Sequence, residues 1–192
     1  MLRRLYDWTM RLADHPRAIW ALAAVSFTES SFFPIPPDVL MIPMILARPS
    51  RAWLIATVAL SASVTGGLLG YAIGALAFEG IGQPILAAFG KTAEMAAFNA
   101  RFNDYGVWAV LLAGVTPFPF KVISIMSGWT GLPLLPFILS SLVARALRFF
   151  VVAGLLWRFG APVRDFIERR LGLMFTLFAI ILLGGFAAVK YL

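Results

Sequence analysis

Cysteine is absent from this 192-residue chain, and charged residues make up only 13% of it. The first absence excludes disulfide bonds and thiolate metal sites. The second accompanies 61% hydrophobic residues and a mean hydropathy of +0.89, which is more apolar surface than a soluble core of this length can bury. We therefore predict an integral membrane protein.

Motifs of catalysis are missing as well. The chain has one histidine, His15, and it contains no Ser-His-Asp set, no paired metal-ligand spacing and no phosphate-binding loop. These absences predict a protein that is not an enzyme and that uses no metal or cofactor. The net charge of +7 is typical of Lys and Arg facing an anionic lipid leaflet, and we expect no nucleic-acid partner.

Long apolar stretches then divide the chain, at residues 18–47, 52–78, 107–157 and 171–189. The third is too long for one span, so we divide it into a segment at 105–130 and a helix at 134–158. Residues 1–16 are predicted to form an interfacial helix, 171–189 a C-terminal transmembrane helix and 79–104 an amphipathic helix on the outer face.

Proline-rich breaks interrupt two of these stretches. Their prolines are Pro34, Pro36 and Pro37 in the first and Pro117 and Pro119 in the second. The sequence offset that relates the two breaks also relates Asp38 to Lys121. Each break precedes a short apolar run, a turn and a long apolar helix, so we predict a two-unit internal repeat at 18–78 and 105–158.

The positions of the basic residues favour re-entrant hairpins over straight spans. As a straight helix, the 30 residues of 18–47 would measure roughly 45 Å, against about 30 Å of hydrocarbon. If each broken segment enters the membrane and returns to the same side, one side receives Arg3, Arg4, Arg11, Arg17, Arg48, Arg51, Arg158, Arg164, Arg169 and Arg170, and the other Lys91, Arg101 and Lys190. This positive-inside bias predicts an all-α fold in which a hairpin and a transmembrane helix form an inverted repeat, with the N-terminus cytoplasmic.

Five ionisable residues then fall at membrane depth: Glu29, Asp38, Lys121, Arg145 and Arg148. An unpaired charge there costs at least ~2.5 kcal/mol, so we expect these side chains to face one another or a wet cavity. Arg145 and Arg148 share a helical face and are predicted to bind a phosphate headgroup, with Lys121 as a third contact. Glu29, and next Asp38, are the candidate proton carriers.

Simpler structural roles remain open for some of these residues. Asp38 and Lys121 occupy equivalent positions in the repeat with opposite charge, so they are also candidates for an ion pair that holds the hairpins together. Gly66, Gly70 and Gly74 are spaced as small residues at a helix contact, and we predict that they mediate helix packing.

The motif at the first break resembles the DedA family, also called the SNARE-associated Golgi protein or VTT-domain family. The residues that carry the resemblance are Glu29, Phe33, Pro34, Pro36 and Asp38. GGLLGYAIG, which begins at Gly66, and LLAGVTPFPFKVISIMSG, at the second break, extend it over roughly residues 20 to 160. The second motif departs from the family's pair of arginines around a proline, since Lys121 is its only basic residue and Thr116 stands near the place of the first arginine. The chain is therefore more similar to the shorter, divergent branch.

The resemblance implies a protein of the bacterial inner membrane that moves a phosphorylated lipid, such as undecaprenyl phosphate or a phospholipid, with proton dependence. Membrane lipids and protons are then the expected partners, and a homo-oligomer is compatible with the sequence. A small-ion or drug transporter is one alternative, and it would have a cavity closed to lipid. A non-transporting organisation or assembly factor is another, and it would tolerate the loss of Glu29 or Arg145.

Overall fold

The computed structural model describes residues 17–33, 35–90, 92–116 and 118–169. Within these ranges every regular element is helical, in agreement with the predicted all-α class. The predicted interfacial helix at 1–16, the C-terminal transmembrane helix at 171–189, Pro34 and Pro117 lie outside the described residues.

The first unit consists of a helix, a break, a short helix and a long helix. The helices are α1 (Ala18–Ser31), α2 (Asp38–Ala47) and α3 (Ala52–Ala77), with one 3₁₀ turn at Pro49–Arg51 before α3. The amides of Phe32 and Phe33 both donate to the carbonyl of Thr28 and so end α1. Pro37 immediately precedes α2, a position at which a missing N–H costs no helical hydrogen bond.

A helical connection leads to the second unit. α3 continues through a π-helical turn at Phe78–Gly82 into α4 (Gln83–Ala88), and Gly90, at φ +65°, precedes the next helix. That helix, α5, spans Thr92–Val115 without interruption. Residues 92–104 of the predicted outer-face segment are therefore continuous with the first arm of the second unit.

The second unit repeats the order of the first. α5 ends at Val115, before the second proline-rich break of the sequence. It is followed by α6 (Phe120–Trp129), a turn containing Gly131 at φ +70°, and α7 (Leu134–Arg169). α7 contains one residue with non-helical dihedrals, Phe159. Two helical stretches in the described residues are long and apolar enough to cross a membrane, Pro49–Ala88 and Leu134–Gly160, and they contain the predicted spans at 52–78 and 134–158.

The two units pack on each other reciprocally. α1 packs on α3 and α5 on α7 within the units, while α6 packs on α3 and α2 on α7 across them. α3 and α7 also pack together and run antiparallel, because Ser63 meets Arg145 and Trp53 lies beside Gly154. This arrangement brings both breaks to the middle of the α3–α7 contact.

The small residues of α3 allow this close packing. A Cβ at Gly66 would collide with the backbone carbonyl of Phe27 in α1, and one at Gly74 would collide with that of Ile125 in α6. Gly70, between them, lies close to Ser30 and Ser124. Each of the three predicted packing glycines thus lies where α3 meets a neighbouring helix.

Candidate functional site

Arg145, in the middle of α7, forms a buried ion pair with Glu29 near the end of α1. Its Nη2 lies 2.7 Å from Glu29 Oε2, and the side chains are 2% and 10% exposed. Arg145 Nε donates to Ser63 Oγ of α3 at 2.6 Å. One guanidinium therefore connects three helices from both units.

Hydroxyls and aromatic rings complete the surroundings of this pair. Ser30 Oγ donates to Glu29 Oε2 at 3.2 Å and shares a 2.7 Å hydrogen bond with Ser63 Oγ. The Arg145 guanidinium carbon lies 4.8 Å from the ring centre of Phe120 and 4.7 Å from that of Phe149. Such cation–π contacts strengthen when they are desolvated, so the charge is stabilised although it is removed from water.

Glu29 also contacts the beginning of α6. Its Oε1 accepts a hydrogen bond from the backbone N–H of Phe120, the first residue of that helix, at 3.4 Å. A helix N-terminus carries unpaired N–H groups and favours a negative charge. The carboxylate therefore joins the last turn of α1, before the first break, to the first residue of α6, after the second break.

A second ion pair connects α7 to the first residue of α2. Arg148 Nη2 lies 2.6 Å from Asp38 Oδ2, and these side chains are 17% and 20% exposed. Arg148 Nη1 donates to the carbonyl of Thr116, in the second break, at 2.5 Å. This pair is thus more accessible than the first, and it too bridges the two breaks.

Lys121 forms no ion pair with Asp38, its equivalent in the repeat. The predicted alternative of an Asp38–Lys121 pair is wrong, because Asp38 pairs with Arg148. Lys121 lies half-buried in the first turn of α6. Within the described part of the chain it has no hydrogen-bond or ion-pair partner.

The structure brings most of the predicted site residues together. Glu29, Asp38, Arg145 and Arg148 meet at the two breaks, Pro36 lies in the first break, and Pro37 and Pro119 precede α2 and α6. The sequence interpretation missed Ser30, Ser63, Phe120 and Phe149. A hydroxyl in an apolar stretch is a weak signal for a site, since serine in a membrane helix usually bonds its own backbone.

The arrangement allows an ion or a proton to replace one partner of each pair. No group of three His, Asp or Glu side chains in the described ranges could hold a metal ion. Breaking either pair by removing one partner leaves a charge in a poorly solvated place, so each pair needs a replacement ion or a proton when it opens. An anion can replace the carboxylates on the arginines, and protons can neutralise the carboxylates.

Comparisons with known proteins match the chain to one protein family. The family model described as the VTT domain matches residues 35–158. An uncharacterized protein of Haemophilus influenzae is 39% identical over 168 residues, which is 85% of this chain and 87% of that protein. An uncharacterized protein of Histophilus somni is 38% identical over the same shares. No solved structure matches the chain significantly.

Proposed function

Because the chain belongs to the VTT-domain family of membrane proteins, which is the DedA family predicted above, we propose that it moves a phosphorylated lipid, such as undecaprenyl phosphate or a phospholipid, across the bacterial inner membrane together with protons. The observation that carries the proposal is the pair of ion pairs, Glu29–Arg145 and Asp38–Arg148, which join both helix breaks to one long helix. Charges at the breaks of opposed units are typical of transporters whose site lies at the membrane midplane.

The lengths of the helices around the first break support re-entrant hairpins. α1 has 14 residues and α2 has 10, so they measure about 21 Å and about 15 Å, less than the ~30 Å of hydrocarbon. Each arm therefore reaches only part of the way across. With α3 and α7 as full spans, the two units have inverted orientations in the membrane. Arg17, Arg48 and Arg51 then face the cytoplasm together with the N-terminus.

Coupling follows from competition for the arginines. A phosphate is an anion that arginine binds in a bidentate manner, so it displaces Glu29 from Arg145 and Asp38 from Arg148. The released carboxylates are then charged groups that have lost their partners at membrane depth, and binding a proton neutralises them. Headgroup and protons therefore bind together, and the ion pairs form again when both leave.

The difference in exposure sets an order of events. The Arg148 side chain is 17% exposed and that of Arg145 is 2% exposed, so the headgroup meets Arg148 first and Arg145 second. Lys121 adds a positive charge that no described partner neutralises. Val39 follows Asp38, Leu147 precedes Arg148, and both side chains are exposed and apolar. Phe118, two residues from Thr116, is exposed as well, and the acyl chain lies along these side chains in the lipid.

Reconstitution in liposomes tests the proposal. Phosphorylated-lipid headgroups should cross the bilayer faster under an imposed pH gradient with the wild-type protein, and Glu29→Gln should abolish the effect of the gradient. Glu79→Gln is the matched control, because Glu79 is exposed and lies outside the site. Equal rates for wild type and Glu29→Gln, with both folded, would favour the non-transporting assembly factor. Transport of a small ion without lipid movement would favour the alternative of a small-ion or drug transporter.

A further inference from the structure

Three buried serine hydroxyls of the core, those of Ser26, Ser127 and Ser141, have no hydrogen-bond partner in the described residues. Neighbouring serines instead donate to a backbone carbonyl of their own helix. Ser124 Oγ donates to the carbonyl of Phe120, and Ser140 Oγ donates to that of Pro136. A buried hydroxyl without a protein partner is costly and is commonly satisfied by an internal water.

Two of these hydroxyls flank the buried ion pair. Ser26 lies one turn before Glu29 and Ser30 on α1, and Ser141 lies one turn before Arg145 on α7, so each shares the helix face of its ionised neighbour. α1 and α7 run antiparallel, because Glu29 pairs with Arg145 while Leu22 joins Phe149 in one core cluster. Ser26 therefore lies toward the Arg51 end of the bundle and Ser141 toward the Leu134 end.

We propose that Ser26 and Ser141 each bind a water molecule. Each hydroxyl with its water forms one hydrated step of a proton route, and one such step lies on either side of the Glu29–Arg145 pair. Ser127, in α6, extends the step on the Leu134 side. The proposal rests on the proposed function for its purpose, which is to deliver a proton to Glu29 from one side of the membrane and release it to the other. The closed ion pair separates the two steps and prevents a continuous leak.

The charged groups around Glu29 are compatible with this route. Arg145 of α7 pairs with Glu29, and Arg148 of the same helix pairs with Asp38 of α2. The Ser63 hydroxyl of α3 bonds to Arg145, the Phe120 N–H of α6 bonds to Glu29, and Lys121 follows Phe120 in the chain. None of these groups is a hydrogen-bond partner of Ser26 or Ser141. Water is thus the chemical species that fits both hydroxyls, since it can donate and accept.

Thiol labelling tests the hydration directly. The chain has no cysteine, so Ser26→Cys and Ser141→Cys each introduce a single thiol. A small, impermeant methanethiosulfonate reagent should modify Ser26→Cys from the Arg51 side and Ser141→Cys from the opposite side, in right-side-out and inverted membrane vesicles. Ser124→Cys and Ser140→Cys are the controls, because these positions are equally buried but their hydroxyls are bonded. Labelling of the test positions no faster than the controls would overturn the inference.

Alanine variants give a second readout. Ser26→Ala and Ser141→Ala should slow gradient-driven lipid movement by about fivefold, the factor that corresponds to one lost neutral hydrogen bond. Headgroup binding should stay at the wild-type level, and Ser140→Ala should behave like the wild type. Unchanged rates in both variants would contradict the proton route. The two proposals fail separately: sided labelling without lipid movement refutes only the proposed function, and lipid movement with control-level labelling refutes only the hydrated steps.

Discussion

Arg145 Nη2 lies 2.7 Å from Glu29 Oε2, and this ion pair joins the two units of the repeat with side chains that are only 2% and 10% exposed. Both groups make further hydrogen bonds: Glu29 accepts from the Ser30 hydroxyl and from the Phe120 amide, and Arg145 Nε donates to the Ser63 hydroxyl. A buried pair of this kind contributes little over a well-packed apolar pair, but losing one member is expensive. Opening the pair therefore requires another anion on Arg145 or a proton on Glu29.

Replacing one partner of the Glu29–Arg145 ion pair should destabilise the protein strongly. Arg145→Ala leaves Glu29 buried without its counter-ion, and we expect a loss of about 3–5 kcal/mol in the free energy of unfolding. The double variant Glu29→Gln/Arg145→Gln should recover part of the loss, because no charge stays unpaired. Thermal unfolding in detergent measures both, with Arg101→Ala at an exposed position as the control. A double variant as unstable as Arg145→Ala would contradict this account.

The outer pair should behave differently. Asp38 competes with the headgroup for Arg148, so Asp38→Asn should tighten binding of a short-chain phosphorylated lipid by about tenfold, within the strength of one charged hydrogen bond. Gradient-driven movement should slow, since one proton-binding group is lost. Titration of the purified protein with the lipid measures the affinity. Weaker binding by Asp38→Asn would contradict this competition and would show that Asp38 contributes to lipid binding, either by direct contact or by positioning Arg148.

Packing between α3 and its neighbours gives a prediction independent of charge. A methyl group at Gly66 meets the backbone carbonyl of Phe27, which cannot move aside as a flexible side chain does. Gly66→Ala should therefore cost about 1–3 kcal/mol. Gly80→Ala is the control, because nothing lies within 4 Å of a Cβ built there, and it should be neutral or slightly stabilising. Thermal unfolding compares the two, and equal effects would argue against close approach of α1 and α3.

The sequence predicted the long helices better than the ion-pair partners of the charged residues. The span predicted at 52–78 is α3 at Ala52–Ala77, because an apolar stretch bounded by Arg51 and a change of composition has few other solutions in lipid. The partner of Asp38 was not predictable from repeat symmetry, since symmetry relates equivalent positions and does not state which of them touch. Arg145 and Arg148 share a face of α7 as predicted, yet each binds a different carboxylate. Such pairings depend on the register between α1, α2 and α7, and hydrophobic periodicity does not encode it.

Lys121 offers the clearest separation of substrate binding from stability. It is half-buried at the start of α6 and has no described ion-pair partner, whereas every other ionisable residue of the site is paired. Lys121→Gln should therefore leave the unfolding temperature nearly unchanged and weaken binding of the phosphorylated lipid, by about tenfold for one charged contact. Lys121→Arg keeps the charge and should retain most of the affinity. Titration with a neutral lipid of the same chain length shows whether the loss concerns the phosphate, and a Lys121→Gln variant with wild-type affinity would remove this residue from the headgroup site.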